Sequence, residues 1–323
     1  MLITAGVLLL CLPLTGSAVA STNGVTATQL PMLAGGTYSW ALDLNNRGAI
    51  VGYSQAADGS AHAVLWSHGS LTDLGTLSGM TDSYAYSIND AGQIVGYSIT
   101  PGGHAQAFLR QNGALHGLAV PSGYTDTLAF AINAHGQIVG FGVTAAGEVR
   151  ALRWTGNAVV SLGTLPGGSF SDARAINDRG QIVGSSGTAS GSVHAVLWQN
   201  GAITDLGTLP GETESYANGI NATGEIVGMG APPTYQFHGL EWPNANAGPI
   251  DLGRFGDMDT SAQAVNERGW IVGYAGIGPG SEHALLWRDG SLTDLGPGIA
   301  FAINQSGRIV GESNQIATLW STS

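Results

Sequence analysis

The sequence predicts an all-β protein from its glycine content, its short strand-like segments and their regular recurrence. Glycine accounts for 51 of the 323 residues, whereas only 10% of the residues are charged and 7% are aromatic. Because glycine weakens helix interiors and favours turns, this content excludes a mainly helical protein. Segments rich in β-branched residues alternate with turn sequences at a fixed period. Hydrophobic residues make up 43% of the chain, which is enough for a large core.

One sequence unit occurs seven times. The pattern Asn-x-x-Gly-x-Ile-Val-Gly recurs at successive intervals of 44, 44, 44, 44, 45 and 38 residues. The copies begin at Asn45, Asn89, Asn133, Asn177, Asn221, Asn266 and Asn304. This spacing indicates one structural unit per copy.

The second copy contains four predicted strands. They are Ser83–Ile88, Gln93–Tyr97, Gln106–Arg110 and Ala114–Leu118. The turn before the second strand starts at Asn89, whose side chain can accept a hydrogen bond from a main-chain N–H two residues later. Asn112-Gly113 is typical of a two-residue hairpin turn. Four short antiparallel strands therefore account for each copy.

The two ends of the chain predict that the units close into a ring. A four-stranded unit with two apolar faces must pack against neighbours, and radial packing of such units gives a β-propeller. The last copy ends after its third strand at Ala317–Trp320, whereas Ala27–Leu33 aligns with the fourth strand Ile203–Leu209. The sequence therefore predicts a seven-bladed β-propeller of four-stranded antiparallel blades, in which the N-terminal strand completes the C-terminal blade.

Residues 1–20 have features of a signal peptide. Val7–Leu14 is apolar, and Ala18-Val19-Ala20 matches a cleavage pattern, although no basic residue precedes the apolar segment. A buried N-terminal strand is the alternative. We expect a signal peptide over residues 1–20 and a single propeller over residues 21–323, located extracellularly or in a periplasm. The apolar segment is too short to span a membrane, and Cys11, the only cysteine, lies within it.

The charge composition disfavours several partners. The formal net charge is −12, and all ten basic residues are arginines. Such a chain repels nucleic acid and anionic membranes.

The sequence has no phosphate-binding loop, dinucleotide-binding glycine pattern or EF-hand loop, so no cofactor is predicted. We expect a monomer that binds a glycan or an extracellular protein.

The repeat resembles a known family. His62–Trp66, His194–Trp198 and His283–Trp287 are each followed by a turn and by Thr-Asp-Leu-Gly. Together with the Asn-x-x-Gly-x-Ile-Val-Gly hairpin, these segments resemble the HAF family of extracellular repeats. The resemblance covers nearly the whole mature chain and implies export and a repeat fold. It implies no catalytic residues, and the His-Ala-Phe sequence that names the family is intact in no copy.

Three recurring residue types are interpreted as parts of the scaffold. The histidines His62, His194, His238 and His283 lie in different blades, too far apart to share a metal ion, so no metal site is predicted and each should form a hydrogen bond within its blade. The tryptophans Trp66, Trp154, Trp198, Trp242, Trp287 and Trp320 should pack between blades. Asn221 and Asn304 match glycosylation sequons but are turn residues in every copy.

Two positions in the first strand vary between blades and are candidates for ligand contacts. They flank an alanine that recurs in every copy, such as Ala85. The preceding residues are Trp40, Tyr84, Leu128, Asp172, Tyr216, Ser261 and Ile299, and the following residues are Leu42, Tyr86, Phe130, Arg174, Asn218, Gln263 and Phe301. Because the scaffold does not fix them, these positions are free to contact a ligand, with Trp40, Tyr84 and Tyr216 as the aromatic candidates. Blade-specific packing is the alternative.

Acidic residues and a shortened loop complete the candidate site. Four copies have an acid just before the first strand, on the face that carries the fourth-to-first and second-to-third strand loops: Asp82, Asp126, Glu214 and Asp259. They are expected to attract cations, amines or sugar hydroxyls, unless each side chain accepts hydrogen bonds from the N–H groups of its own turn.

The loop between the second and third strands is shortened in the last copy. Nine residues separate Gly52 from His62, but only four separate Gly311 from Ile316. We expect a notch there, lined by Glu312, Asn314 and Gln315.

These features predict a secreted, non-catalytic propeller that binds a glycan, or a cell-surface or protein partner, on its acidic loop face. The alternative is a secreted carbohydrate-active hydrolase or lyase that uses carboxylates at the channel mouth. A structural scaffold is a third possibility. No residue is assigned a catalytic role, and uniform loop lengths favour binding over catalysis.

Overall fold

Seven antiparallel sheets make up the described chain. A computed structural model describes residues 18–22, 24–233, 236–276 and 280–322. These residues form 29 strands, and the all-β prediction is confirmed. Within the same ranges, no helix is long and apolar enough to cross a membrane.

The strands are numbered in chain order, and each sheet forms one blade. The N-terminal strands are Ala18–Thr22 (β1) and Val25–Gln29 (β2). Blade 1 contains Ser39–Leu44 (β3), Ile50–Gln55 (β4), Ala61–Ser67 (β5) and Ser70–Gly75 (β6). Blade 2 contains Asp82–Ile88 (β7), Ile94–Ile99 (β8), Ala105–Gln111 (β9) and Ala114–Gly117 (β10). Blade 3 contains Tyr124–Ile132 (β11), Gln137–Thr144 (β12), Val149–Thr155 (β13) and Ala158–Ser161 (β14).

The remaining blades repeat this order. Blade 4 contains Ser171–Ile176 (β15), Ile182–Gly187 (β16), Val193–Gln199 (β17) and Ala202–Asp205 (β18). Blade 5 contains Glu214–Ile220 (β19), Ile226–Ala231 (β20), His238–Trp242 (β21) and Ile250–Asp251 (β22). Blade 6 contains Asp259–Val265 (β23), Ile271–Gly276 (β24), His283–Arg288 (β25) and Ser291–Pro297 (β26). Blade 7 contains Ile299–Ile303 (β27), Arg308–Ser313 (β28) and Ile316–Thr322 (β29).

The N-terminal strand closes the ring, as the sequence predicts. β2 pairs antiparallel with β29, with Thr28 opposite Leu319, and becomes the fourth strand of blade 7. Beyond β2, the Leu30 N–H donates to the carbonyl of Ala317 at 2.7 Å. β1 pairs with the outer edge of β2 and adds a fifth strand. Most of the predicted signal peptide, residues 1–17, lies outside the described residues, and the predicted cleavage after Ala20 falls within β1, so the signal peptide stays a prediction.

The hydrophobic core is divided among the junctions between blades. Seven clusters of buried side chains occur, and each takes residues from two neighbouring blades. At the closing junction, Trp66 and Ile50 of blade 1 pack with Val310 and Leu319 of blade 7. The Trp66 indole N–H also donates to the Pro31 carbonyl at 2.7 Å, and Trp154 makes the corresponding bond to Ala119. The predicted packing between blades is confirmed for all six tryptophans, each of which belongs to one of these clusters: Trp66, Trp154, Trp198, Trp242, Trp287 and Trp320.

The seven repeat asparagines form a closed circle of hydrogen bonds. Each Nδ2 donates to the main-chain carbonyl of the corresponding asparagine in the next blade, at 3.0–3.3 Å. The last bond runs from Asn304 back to Asn45. Each Oδ1 accepts the N–H groups two and four residues later in its own turn, and that of Asn221 also accepts the Gly224 N–H. All seven side chains are buried, so one amide group shapes a turn and joins two blades.

The recurring histidines are bonded within their blades, as predicted. The His62 Nδ1 lies 2.8 Å from Oδ2 of Asp73, and His194 is paired in the same way with Asp205. His238 and His283 repeat the arrangement in blades 5 and 6. The Asp73 Oδ1 in turn accepts the Gly75 N–H at 2.8 Å, so each His-Asp pair fixes the end of its fourth strand.

The asparagine circle can be tested by removing one amide donor. Asn133→Asp keeps the Oδ1 acceptor but places a carboxylate against the Asn177 carbonyl and the Gln137 side-chain oxygen, which now receive hydrogen bonds. We expect the free energy of unfolding to fall by about 3 kcal/mol, because a buried charge loses its donors. Urea unfolding measures the loss. Asn157→Asp, in an exposed hairpin, is the matched control, and an equal effect of both substitutions would contradict the assigned role.

Ring closure can be tested by deleting residues 21–36. The deletion removes β2 and exposes the edge of β29, so we expect a lower melting temperature and self-association through that edge. Calorimetry and light scattering measure the two effects. Deletion of residues 18–20 alone, which shortens only the outermost strand, should leave both properties unchanged. A cooperative melt and a monomer mass retained by the longer deletion would contradict closure.

Candidate ligand-binding site

A β-bulge in the first strand of every blade directs one side chain into the central channel. In all seven blades, the pairing of first and second strands shifts directly after the recurring alanine. The unpaired residue is the variable one that follows this alanine. A bulge changes the direction of a side chain, and here all seven reach one cavity. They are Leu42, Tyr86, Phe130, Arg174, Asn218, Gln263 and Phe301.

The bulge explains the final glycine of the repeat pattern. In blade 2 this residue is Gly96, which lies opposite Ala85 in the neighbouring strand. A Cβ atom on Gly96 would overlap the carbonyl oxygen of Tyr84, because the bulge turns that carbonyl toward the second strand. The corresponding glycine meets the corresponding carbonyl in each of the other six blades. The repeat therefore keeps glycine there for close approach of the backbone, and the bulge residue itself remains free to vary.

The channel cavity, about 440 Å³ in volume, has one apolar arc and one polar arc. Around the ring from blade 7 to blade 3, the bulge residues are Phe301, Leu42, Tyr86 and Phe130. From blade 4 to blade 6 they are Arg174, Asn218 and Gln263. A cavity of this size with a few convergent polar groups is typical of sites for small organic ligands.

An aromatic crescent supports the apolar arc. Eight rings from blades 7, 1, 2 and 3 form a continuous series with centroids 4.9–5.9 Å apart. The series runs through Phe301, Trp40, Tyr53, Tyr84, Tyr97, Tyr86, Phe130 and Phe141. Burial raises the pKa of Tyr84 to about 12 and also raises the pKa values of Tyr53 and Tyr97, so these phenols stay neutral. Trp40 and Tyr84, two predicted ligand contacts, belong to this crescent.

Arg174 is held in place at the start of the polar arc. Its Nε donates to Oδ2 of the buried Asp172, whose Oδ1 accepts the Ser185 hydroxyl at 2.6 Å. The guanidinium carbon also lies 5.2 Å from the centroid of the Phe130 ring. The Arg174 side chain nevertheless keeps 48% of its surface exposed. Because Nε is engaged in this way, Nη1 and Nη2 of this cavity-lining arginine are left to donate to other groups.

Asp43 is an acidic residue that lines the channel and bridges two blades. Its Oδ2 accepts the Ser87 hydroxyl at 2.8 Å and the Ile88 N–H at 2.9 Å, both from blade 2. Its Oδ1 accepts the Leu44 N–H. Burial raises the pKa of Asp43 to about 6, against the lowering effect of these hydrogen bonds. Sequence comparison between the repeats did not single out Asp43, although only serine, alanine or glycine occupies its position in the other copies.

The shortened loops of blade 7 leave a cavity on the loop face, here called the notch. One residue, Gly298, separates β26 from β27, and the two-residue turn Asn314-Gln315 separates β28 from β29. The notch has a volume of about 370 Å³, and its lining includes Trp40, Glu312, Asn314 and Gln315. Three predicted site residues, Trp40, Glu312 and Asn314, therefore lie together.

Glu312 is the buried acid of the notch. The residue is buried, with a relative exposure of 7%. Its Oε2 accepts the Gln315 N–H at 2.8 Å. Burial raises the pKa of Glu312, this hydrogen bond lowers it, and the nearby charge of Glu282 raises it further. The carboxyl group is thus held at the wall of the notch.

The four predicted loop-face acids lie at or near the starts of the first strands of four different blades. The Asp82 Oδ1 accepts the Ala61 N–H of blade 1 at 2.9 Å, and the Asp126 Oδ1 accepts the Ala105 N–H of blade 2 at 2.7 Å. Both carboxylates therefore bridge neighbouring blades. Burial raises the pKa of Asp126, but bonds from Thr125, Ala105 and His104 outweigh it and leave the pKa below its ordinary value.

The other two acids lie farther around the ring. The Glu214 Oε2 accepts the Tyr216 hydroxyl at 2.8 Å, so two predicted site residues contact each other in blade 5. Asp259 lines a cavity of about 390 Å³ together with Phe237 and Tyr274. A ligand-binding role for these acids stays a prediction. Within the described ranges, no group of three or more His, Cys, Asp or Glu side chains could hold a metal ion.

The burial of Asp43 predicts a pH-dependent stability. Because its pKa is about 6 in the folded protein and near 3.8 when unfolded, its contribution to stability is present below about pH 4 and is lost as the pH rises through 6. Asp43→Asn should remove this dependence, so the difference in unfolding free energy between wild type and variant should change between these pH values and stay constant above them. Urea titrations at several pH values measure the difference. Asp58→Asn is the control, because Asp58 is exposed and its pKa is lowered. For this variant, the difference in unfolding free energy from wild type should not fall as the pH rises.

Comparisons with known proteins support the fold. No protein-family model and no curated protein matches the chain, so the resemblance to HAF repeats stays a prediction. The extracellular domain of a proposed one-component system from B. thetaiotaomicron is 12% identical with a TM-score of 0.57, over 91% of this chain and 39% of that chain. The chain thus spans well under half of that protein.

Two other solved structures match over nearly their whole length. The β-propeller domain of the Trilobed protease from Pyrococcus furiosus is 11% identical with a TM-score of 0.57, over 89% of this chain and 97% of that chain. Streptogramin B lyase is 10% identical with a TM-score of 0.54, over 93% of this chain and 98% of that chain. The protease domain is described as having an open velcro topology, whereas β2 closes the ring here. At these identities the similarity concerns the fold alone, which is a seven-bladed β-propeller.

Proposed function

We propose that this chain is an exported, non-catalytic binding propeller whose ligand is a glycan or other cell-surface material held on the loop face. The observation that carries the proposal is the notch, which collects Trp40, Glu312 and Asn314. An indole ring offers a flat surface to the apolar face of a sugar. A carboxylate accepts hydrogen bonds from the hydroxyl groups of the sugar, and an amide both accepts and donates them. The half-buried Trp40 ring stacks on Phe301 at 5.6 Å, which limits its motion.

The environment of Asp82 and Asp126 favours a structural or binding role for these two acids over acid–base catalysis. A general acid needs a pKa near the working pH, and the pKa of Asp126 lies below its ordinary value. Asp82 and Asp126 also accept main-chain N–H groups that hold neighbouring blades together, and proton transfer would disturb those bonds. Glu214, whose carboxylate accepts the Tyr216 hydroxyl, and Asp259 would extend the proposed surface to blades 5 and 6. Tyr84 supports it from the aromatic crescent.

A glycan array with the full chain tests the proposal. We expect one class of glycan to be retained and Trp40→Ala and Glu312→Gln each to weaken binding about 10-fold or more, because each removes a stacking surface or a charged acceptor. Glu148→Gln, an exposed acid on blade 3, is the matched control and should bind as wild type. Circular dichroism establishes that each variant is folded.

Three results would contradict the proposal. They are the absence of any retained glycan, binding that survives both notch substitutions, and turnover of a polysaccharide panel by the wild-type chain. Glu214→Gln and Asp259→Asn, assayed on the same array, test whether the ligand extends beyond the notch. A loss of binding in either variant would support the wider acidic face.

A further inference from the structure

The channel cavity carries an inference that is separate from the notch. Among the described side chains that line it, Arg174 is the one cation, and it pairs with Asp172. The cavity is also lined by the acid Asp43, whose carboxylate accepts hydrogen bonds from Ser87, Ile88 and Leu44. The bond to Asp172 uses Nε, and within the described residues no hydrogen bond is found to Nη1 or Nη2. Two parallel N–H donors at a cavity wall match the two oxygens of a carboxylate.

The two amides beside Arg174 offer acceptors. The Asn218 Nδ2 donates to the Ala262 carbonyl at 2.9 Å, and because a carbonyl can only accept, this bond fixes the orientation of the amide. The Gln263 Nε2 donates to the Ser261 hydroxyl at 2.8 Å, whose own proton is directed to the Met229 sulfur. Each amide nitrogen thus uses one of its two N–H donors on a neighbouring residue, and Asn218 Oδ1 and Gln263 Oε1 are able to accept N–H or O–H groups.

The opposite wall of the cavity is suited to the apolar part of a ligand. Tyr86, Phe130 and Phe301 reach the cavity as bulge residues, and the aromatic crescent behind them keeps their rings in place. Phe130 also contacts the Arg174 guanidinium, so the apolar and charged parts of the wall adjoin directly. A ligand with a charged end next to a planar apolar end would therefore match the arrangement of these side chains in the cavity wall.

We propose that the channel binds a small organic acid with an N–H or O–H group next to its carboxylate and an aromatic body: an aromatic α-amino or α-hydroxy acid. The carboxylate pairs with Nη1 and Nη2 of Arg174, the neighbouring N–H or O–H donates to the amide oxygens of Asn218 and Gln263, and the ring lies on the aromatic crescent. The net charge of −12 opposes an anion at long range, but salt screens that repulsion beyond about 8 Å.

Calorimetric titration of the full chain with phenylalanine and 3-phenyllactate tests the proposal. We expect saturable binding of at least one of these acids. Phenylalaninamide, which lacks the carboxylate, should bind about 10- to 100-fold more weakly, as expected for the loss of a charge-assisted pair. 3-Phenylpropionate, which lacks the N–H and O–H group, should bind several-fold more weakly than 3-phenyllactate.

Substitution of Arg174 locates the binding. Arg174→Lys keeps a charge opposite Asp172 but loses the planar pair of donors, so we expect affinity to fall about 10-fold or more. Arg47→Gln, an exposed arginine on a turn outside the channel, is the control and should bind as wild type. If Arg174→Lys does not fold, the Asn218→Ala and Gln263→Ala double variant replaces it, and it should abolish the preference for 3-phenyllactate over 3-phenylpropionate.

Several outcomes would overturn the proposal. They are no saturable binding of either acid up to about 10 mM, equal binding of phenylalaninamide, or binding unchanged by Arg174→Lys and by the double amide variant. Glu312→Gln should leave binding of these acids unchanged. The channel and the notch are therefore tested separately, and either proposal can fail without the other.

Discussion

The circle of seven buried asparagine amides is the interaction on which the rest of this propeller depends. Each amide accepts two N–H groups that shape its own turn and donates one hydrogen bond to the next blade. The first and last members, Asn45 and Asn304, are 259 positions apart in sequence, yet they meet at 3.3 Å. Asparagine carries its acceptor and its donor on separate atoms at this short reach, whereas aspartate lacks the donor, a serine or threonine hydroxyl has both on one oxygen, and glutamine is longer. The need for both an acceptor and a donor at this position explains why asparagine occurs there in every copy.

A second constraint separates the scaffold from the site. The bulge after the recurring alanine would bring a carbonyl too close to any Cβ atom on the opposite strand, so glycine occupies that position in every blade. The bulge residue itself is unpaired and points into the channel. The recurring alanine and the opposing glycine therefore maintain the geometry of the bulge, while the seven bulge residues differ in the chemical groups that they bring to the channel. Chemical differences between blades can accumulate at this position with little effect on the hydrogen bonds of the sheets.

The order of those seven residues gives the channel its polarity. Four consecutive blades contribute Phe301, Leu42, Tyr86 and Phe130, and the other three contribute Arg174, Asn218 and Gln263. Asp172 and Phe130 position Arg174 at the boundary between the two arcs. The notch is a separate product of the same architecture. It forms where blade 7 has shortened loops, and Trp40 borders both cavities.

The sequence alone determined the number of blades, the order of strands and the closure by the N-terminal strand, because these follow from local turn chemistry and from a repeat that the chain displays seven times. It also identified the variable positions beside Ala85 and the shortened loops around Glu312 and Asn314. Only the tertiary structure revealed the bulge, because an unpaired residue depends on the register between two strands. Likewise, only the closed ring shows that Asp82 and Asp126 bond to neighbouring blades, that Asp43 bridges blades 1 and 2, and that Arg174 faces an aromatic wall. These contacts join side chains from different repeats, and their distances are set by how the blades pack around the channel.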